Sequence, residues 1–346
     1  MKEKQLIVTF DYELFLGKNS GSVEKCLIIP TEKISAVLNK FNVKAIFFID
    51  TTYLLRLKEK SFDHLNAFND FNKIKKQLSV LASQGHLLYH HFHPHWLDAI
   101  YDPITNIWDC SNHQRFALSN LGSNEIESIV AFSDTFIREL YPKKDVPEYL
   151  GFRAGGLYSQ PFHLFAPIFK KYNIKYDFSV LKGAKSFGKS FCFDYSNMDP
   201  TIELIYTFEN SNIEEVEDGF FIEVSLINFE MNLLQRIINS IFYRMFSRKN
   251  SWKRFGDGTS SGNIIHSDQN KSQLNGETFS IELLNFVKCL YYFNYLSKNQ
   301  QMHLINHPKL LSENSIKSFE RFLFILRKKY FIQSNFNELL VRMNSN

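Results

Sequence analysis

The chain has little net charge, few cysteines and no long apolar run, and each shortage removes a class of protein. Its 40 lysines and arginines meet 36 aspartates and glutamates, leaving the 346 residues with a formal charge of only +4. So small an excess does not make nucleic acid the default partner. No stretch of about 18 uncharged apolar residues occurs, which argues against a transmembrane helix. The opening residues, MKEKQLIVTFDYELF, run straight into a strand-like pattern. They lack the charged, apolar and small-residue regions of a secretory leader, so a cytoplasmic location is expected. Cys26, Cys110, Cys192 and Cys289 are far apart and form no CxxC, which fits reduced cytoplasmic thiols better than a disulfide framework. Disorder is excluded by abundance: 35 Phe and 16 Tyr are too many apolar rings for a solvated coil. A chain this long, 44% hydrophobic, needs neither disulfide nor metal merely to fold.

Strand-like and helical patterns alternate along the sequence. Residues 5–10 (QLIVTF), 43–50 (VKAIFFID), 86–93, 149–153, 175–180, 203–208, 220–227 and 302–306 read as strands. Helices are expected over 31–41 with Thr31 as N-cap, over 71–83 ending at Gly85, and from a capping box at Asn124 and Glu127 to about 140. Further helices are expected over 161–172, 232–246, 280–296 and 312–330. Repeated β-then-α units favour a parallel sheet covered by helices. Their number predicts an α/β fold, a single distorted (β/α) barrel of about seven parallel strands, with a two-domain doubly wound fold as the alternative. The barrel would be one domain, 1–346, in which 230–278 forms an inserted helix plus polar loop; residues 256–276 are rich in Gly and Ser. No internal repeat is visible.

The strongest chemical signal is a histidine tract. A ten-residue window should hold about 0.3 His on uniform composition, yet 86–95 (HLLYHHFHPH) holds five of the chain's 11. Neutral imidazole is a common ligand for zinc-like metals. On an extended stretch His91, His93 and His95 share one face and His86 and His90 the other, while a turn at Pro94 would redirect His95. His91 and His95 converge if the chain coils after Phe92; His86 and His90 suit packing or a supporting role. A third ligand is expected from Thr9-Phe10-Asp11-Tyr12-Glu13. Asp11 and Glu13 are two apart, so on a strand they face one way, and a divalent cation would relieve their repulsion.

These residues resemble the polysaccharide deacetylases of carbohydrate esterase family 4, the NodB-homology group, over residues 6–311. Thr9-Phe10-Asp11-Tyr12-Glu13 stands where the family has its acidic first motif. Gly85-His86 followed by His91-Phe92-His93-Pro94-His95 stands for the second, Phe152-Arg153-Ala154-Gly155-Gly156 for the third, and Leu304-Ile305-Asn306-His307-Pro308 for the last. The string GHxxxxHxHPHW and the following RAGG are similar to a WbmS-like branch found among surface-polysaccharide genes. Two departures stand out: Glu13 where many members have Asp, and Gly155–Gly156 for a Pro-aromatic pair.

The resemblance implies metal-dependent removal of an N-acetyl group from a sugar. His91, His95 and Glu13 would hold one divalent ion, zinc first, with cobalt, nickel or manganese as alternatives. Asp11 would be the general base, Arg153 its orienting partner, and His307 the general acid with Asp177 behind it. A backbone N–H near Gly155–Gly156 would help hold the oxyanion, and Trp96, Phe152 or Tyr158 could stack on a sugar. The substrate would be an N-acetylated glycan intermediate of O-antigen-like surface-polysaccharide assembly, linked to a nucleotide or a lipid. Residues 230–254 combine apolar residues at helical spacing with Arg236, Arg244, Arg248, Lys249, Lys253 and Arg254 against Glu230 alone. That pattern allows peripheral membrane contact, the other reading being a barrel helix whose apolar stripe packs on the sheet. Rival functions are a non-sugar amide hydrolase on the same scaffold and an inactive glycan- or metal-binding homologue.

Overall fold

The structure is a computed structural model. It describes residues 2–187, 192–199, 202–229, 231, 233–246, 250–259 and 277–343. The first half runs β1 (Glu3–Tyr12), α1 (Ile29–Lys40), β2 (Ile46–Asp50), α2 (Thr51–Lys60), α3 (Leu65–Ser83), β3 (Leu87–Phe92) and α4 (Ser123–Leu140). Next come β4 (Leu150–Ala154), α5 (Ala166–Lys171), β5 (Ile174–Asp177), β6 (Ile205–Phe208), β7 (Phe221–Val224) and α6 (Leu233–Phe246). The chain finishes with α7 (Phe286–Lys298), β8 (Gln301–Asn306), α8 (Glu313–Lys329), β9 (Phe331–Gln333) and α9 (Phe336–Met343).

One sheet carries the fold, in the order β6-β7-β5-β4-β3-β2-β1-β8, with β9 beside the start of β1. All its pairings are parallel except β6 with β7. Its central strands are buried on both faces: β2 and β3 throughout, and β1 from Leu6 onward. This is why they read as near-continuous apolar runs rather than alternating ones. Helix α4 shows how the outer layer docks. Ile126, Ile129, Val130, Ser133, Phe136, Ile137 and Leu140 are its buried residues, one stripe at helical spacing.

The expectation was a distorted (β/α) barrel of about seven parallel strands; what is observed is the coarser form, a mixed α/β architecture with a curled, mostly parallel sheet. A closed seven-strand barrel is not observed. Among the described strands no backbone ladder joins β8 to β7. The gap is spanned instead by a side chain: His303 on β8 donates from Nδ1 to Ser225 O, just past β7, at 3.2 Å.

Several boundaries shift for local reasons. Helix α1 starts at Ile29, ahead of the expected Thr31 cap, with Pro30 in its first turn, where a missing N–H is no loss. Helix α4 starts at Ser123, and Glu125 rather than Glu127 reaches back to accept from Gly122 N at 3.2 Å. Helix α2 was not anticipated. Asp50 ends β2 and caps it, its Oδ1 accepting from Tyr53 N at 3.2 Å. Of the α6 apolar residues whose side chains are described, Leu233, Ile237, Ile238, Ile241 and Met245 are all exposed, so these do not seat on the sheet as the barrel-helix reading has it. Most of the polar stretch 256–276 lies outside the described residues. No described helix is long and apolar enough to cross a membrane.

Three buried histidines tie the fold to pH. Burial holds His86 down at about 4, and burial aided by nearby arginines holds His90 and His303 at about 3. Below the ordinary histidine pKa the unfolded chain takes up protons that the folded chain refuses, so stability falls as pH drops from about 6.5 toward 3. Each group contributes up to about 1.4 kcal/mol per pH unit. Thermal melts should show a Tm that declines steadily from pH 7 to pH 5. In His90→Gln that decline should be shallower, and an unchanged slope would remove His90 from the linkage.

Candidate active site

Four strands deliver the chemistry at their carboxyl ends, where parallel sheets place their ligands. Asp11 lies near the end of β1 with Glu13 just beyond it, His91 near the end of β3, Arg153 in β4, and His307 immediately after β8. Strands β8, β1, β2, β3 and β4 are consecutive neighbours, so residues up to 296 apart in sequence face one another.

Arg153 is the centre of the arrangement. It is completely buried, its guanidinium 4.1 Å over the Phe48 ring. It donates from NH1 to Asp11 Oδ1 at 2.5 Å, from NH2 to Thr9 Oγ1 at 2.9 Å, and from Nε to Phe178 O at 3.2 Å. Burial pushes the Asp11 carboxyl up, but Arg153, His91 and His307 outweigh it and hold the group below its usual value. Asp11 is therefore an ionised buried carboxylate.

The ligand-type atoms converge beside it. His91 Nδ1 lies 2.8 Å from Arg153 O. A carbonyl only accepts, so Nδ1 carries a proton, and Nε2, turned toward Glu13, is the atom that a neutral ring would offer to a metal. His93 Nε2 is 2.9 Å from His91 Nε2. Glu13 Oε2 stands 2.5 Å from His93 Nε2 and 3.3 Å from His91 Nε2, yet takes no well-formed hydrogen bond. Two ligands at the usual zinc distances from one ion are about 2.9 to 3.5 Å apart; the separations from His91 Nε2 to His93 and to Glu13 fall in that window, and the one between Glu13 and His93 is shorter. Three converging donor atoms, one an oxygen without a hydrogen bond, thus fit a divalent ion. Glu13, His91 and His93 are the one such group among the described residues. Burial raises the Glu13 carboxyl, but Lys309 and the two imidazoles overcome it and hold the group well below its usual range.

This grouping differs from the expected one in a single member. The backbone stays extended to Phe92, which keeps His91 and His93 on one face. A 3₁₀ turn, Pro94–Asp98, follows, and the His95 ring lies 5.2 Å from that of His93, outside the converging group. His95 is buried against Phe116 and His113, and neither of its ring nitrogens has a hydrogen-bond partner. Burial keeps it neutral, well below the usual histidine range.

His307 faces the group from the other side. Its Nε2 is 3.5 Å from Glu13 Oε1 and 3.7 Å from Asp11 Oδ2. The carboxylate behind it is Glu282, which accepts from both His307 Nδ1 and His307 N at 2.7 Å. Burial alone would lower this imidazole, but Glu282, Asp11 and Glu13 raise it to about 9. Asp177 does not meet His307, and the expected pairing is corrected accordingly. It sits opposite Glu223 in the β5–β7 register and accepts from Ser179 Oγ at 2.5 Å and Asn212 Nδ2 at 2.9 Å. Burial beside Asp177 holds Glu223 well above its usual range.

Trp96 is also corrected. It is fully buried and donates from Nε1 to Asp50 Oδ2 at 2.6 Å, so it packs the site's floor and presents no face to a sugar. Phe152 is fully buried as well. The glycine pair has two separate reasons. A Cβ on Gly155 would lie 2.5 Å from His93 Nδ1, and Gly156 adopts φ +61°, a conformation that glycine tolerates best. Sequence reading missed two functional neighbours. Lys309, two residues after His307, donates to Glu13 Oε1 at 2.8 Å and Leu14 O at 2.6 Å; its place beside the last motif was a signal. Glu282 had none.

No family model matches the sequence, and no curated protein does. Solved structures do match. One is described as a polysaccharide deacetylase from Mycobacterium smegmatis: 13% identity, TM-score 0.48, covering 99% of this chain and 90% of that one. A family 4 carbohydrate esterase from Streptomyces lividans, in complex with acetate, gives 10% identity and TM-score 0.37 over 94% of this chain and 89% of that one. A 4-alpha-glucanotransferase from Thermococcus litoralis gives 9% identity and TM-score 0.47 over 98% of this chain and 38% of that one. Likenesses this distant decide no chemistry, which rests on the side chains above.

Two measurements probe the site. Arg153→Met should cost about 3–5 kcal/mol in denaturant unfolding, because it strands a buried carboxylate. Adding Asp11→Asn should recover part of that loss, and simple additivity of the two changes would deny the pairing. In zinc titration calorimetry His93→Ala should abolish tight binding, whereas His95→Ala should weaken it only a few-fold. The reverse order would make His95 the ligand.

Proposed function

We propose that this chain is a metal-dependent hydrolase that removes an N-acetyl group from a sugar. The observation that carries the hydrolytic part is the convergence of Glu13, His91 and His93 between an arginine-held carboxylate and a carboxylate-backed histidine. The sugar and the acetyl group come from the resemblance of the four ordered motifs. A divalent ion held by Glu13, His91 and His93, zinc by preference, would supply Lewis-acid polarisation of a carbonyl and of a water.

The chain's own residues supply the proton transfers. Asp11, kept ionised by Arg153, takes the proton of the attacking water. His307, protonated near neutrality and fixed by Glu282, gives a proton to the departing amine. Their reactive atoms are 3.7 Å apart, so both can address one amide. Lys309 anchors Glu13 through Oε1 and leaves Oε2 for the ion. A backbone N–H of the Gly155–Gly156 turn would add to oxyanion binding. The physiological substrate would be a carrier-linked N-acetylhexosamine of surface-polysaccharide assembly, handled on the cytoplasmic side.

Acetate release from nucleotide- and lipid-linked N-acetylhexosamines tests the reading. With metal supplied, Asp11→Asn should lower kcat by at least about 100-fold while metal content measured by mass spectrometry stays at the wild-type level. Activity in that variant equal to wild type would remove Asp11 from the mechanism. Failure of every N-acetyl sugar alongside turnover of a simple amide would move the function to the non-sugar class.

A further inference from the structure

Beside the site lies an apolar plate that the proposed chemistry leaves unused. Helix α6 exposes Leu233, Ile237, Ile241 and Met245, four residues apart and hence one stripe, with Ile238 alongside; their exposures run from 45 to 75%. Leu283, Phe286 and Leu290, at the start of α7, are 45 to 68% exposed. The two helices are tied by a hydrogen bond from Asn285 Nδ2 to Asn239 Oδ1 at 2.9 Å, which puts both sets on neighbouring elements. Leu283 directly follows Glu282, the residue that holds His307. The plate therefore adjoins the site.

Charge decides what covers it. Residues 230–254 contain Arg236, Arg244, Arg248, Lys249, Lys253 and Arg254 against Glu230, more positive charge than the net +4 of the whole chain. Arg236, Lys253 and Arg254 are exposed. Apolar side chains flanked by basic ones are what an anionic bilayer surface binds, the first entering the acyl boundary and the second meeting the headgroups. A second copy of this chain would bring the same positive charge to the same face.

We infer that α6 and the start of α7 seat the protein on an anionic membrane, and that its substrate is a lipid-linked glycan whose sugar enters the site from that surface. The substrate half rests on the hydrolase reading above; the membrane half does not. Sedimentation of the full chain with vesicles separates the two. Binding to phosphatidylglycerol-containing vesicles should exceed binding to pure phosphatidylcholine at least tenfold and fall in high salt. Ile241→Glu with Met245→Glu should lose at least tenfold of that binding. It should keep the wild-type melting curve and wild-type turnover of a water-soluble N-acetyl substrate, while turnover of a vesicle-embedded lipid-linked one drops. Equal partition to both vesicle types, or self-association through this face that the double variant abolishes, would overturn the membrane inference. Vesicle binding with no deacetylation of any substrate would sink the hydrolase reading and leave the surface intact.

Discussion

An arginine with no access to water stands inside the sheet, and its pairing with Asp11 is the constraint on which the site depends. A guanidinium cannot shed its proton, so burial is tolerable only where every direction offers an acceptor or a π face. Arg153 meets that demand with Asp11, Thr9, Phe178 O and the Phe48 ring. The same residue also sets the metal-site tautomer, because its carbonyl fixes the proton on His91 Nδ1. One position on β4 thus sets both the ionisation of Asp11 and the orientation of His91.

Glu13 shows a second economy. A buried carboxylate between two imidazoles would itself be costly, and Lys309 compensates it from the opposite oxygen. The division of labour is geometric: Oε1 faces Lys309 and His307, Oε2 faces His91 and His93. The longer arm of glutamate spans these two sets of partners. Lys309 and His307 lie on the same turn after β8, so the element that brings His307 also secures Glu13.

The surface follows the same logic of placement. Glu282 belongs to the segment leading into α7, and the residues next to it are the apolar ones left in solvent. The segment that holds His307 thus also carries part of the exposed apolar plate, which is the basis of the membrane inference.

Much of this was legible before any coordinates. The periods of 2 and 3.6 gave the alternation of strand and helix because they report one buried face. The tract 86–95 pointed to a candidate metal site by density alone, and Asp11, Glu13, Arg153 and His307 were legible as members of ordered motifs. What stayed hidden depended on lateral order and on turns of the backbone. Which strands neighbour β1 placed Arg153 against Asp11, and the segment before α7, bonded to the end of β8 through Ile305 N to Phe279 O, put Glu282 rather than Asp177 behind His307. The extended backbone up to Phe92 made His93 the partner of His91, and the 3₁₀ turn at Pro94 left His95 beside His93 but outside the group. Local sequence determines which residues lie on which face of an element; only the packing of elements, through contacts hundreds of residues apart, decides which faces meet.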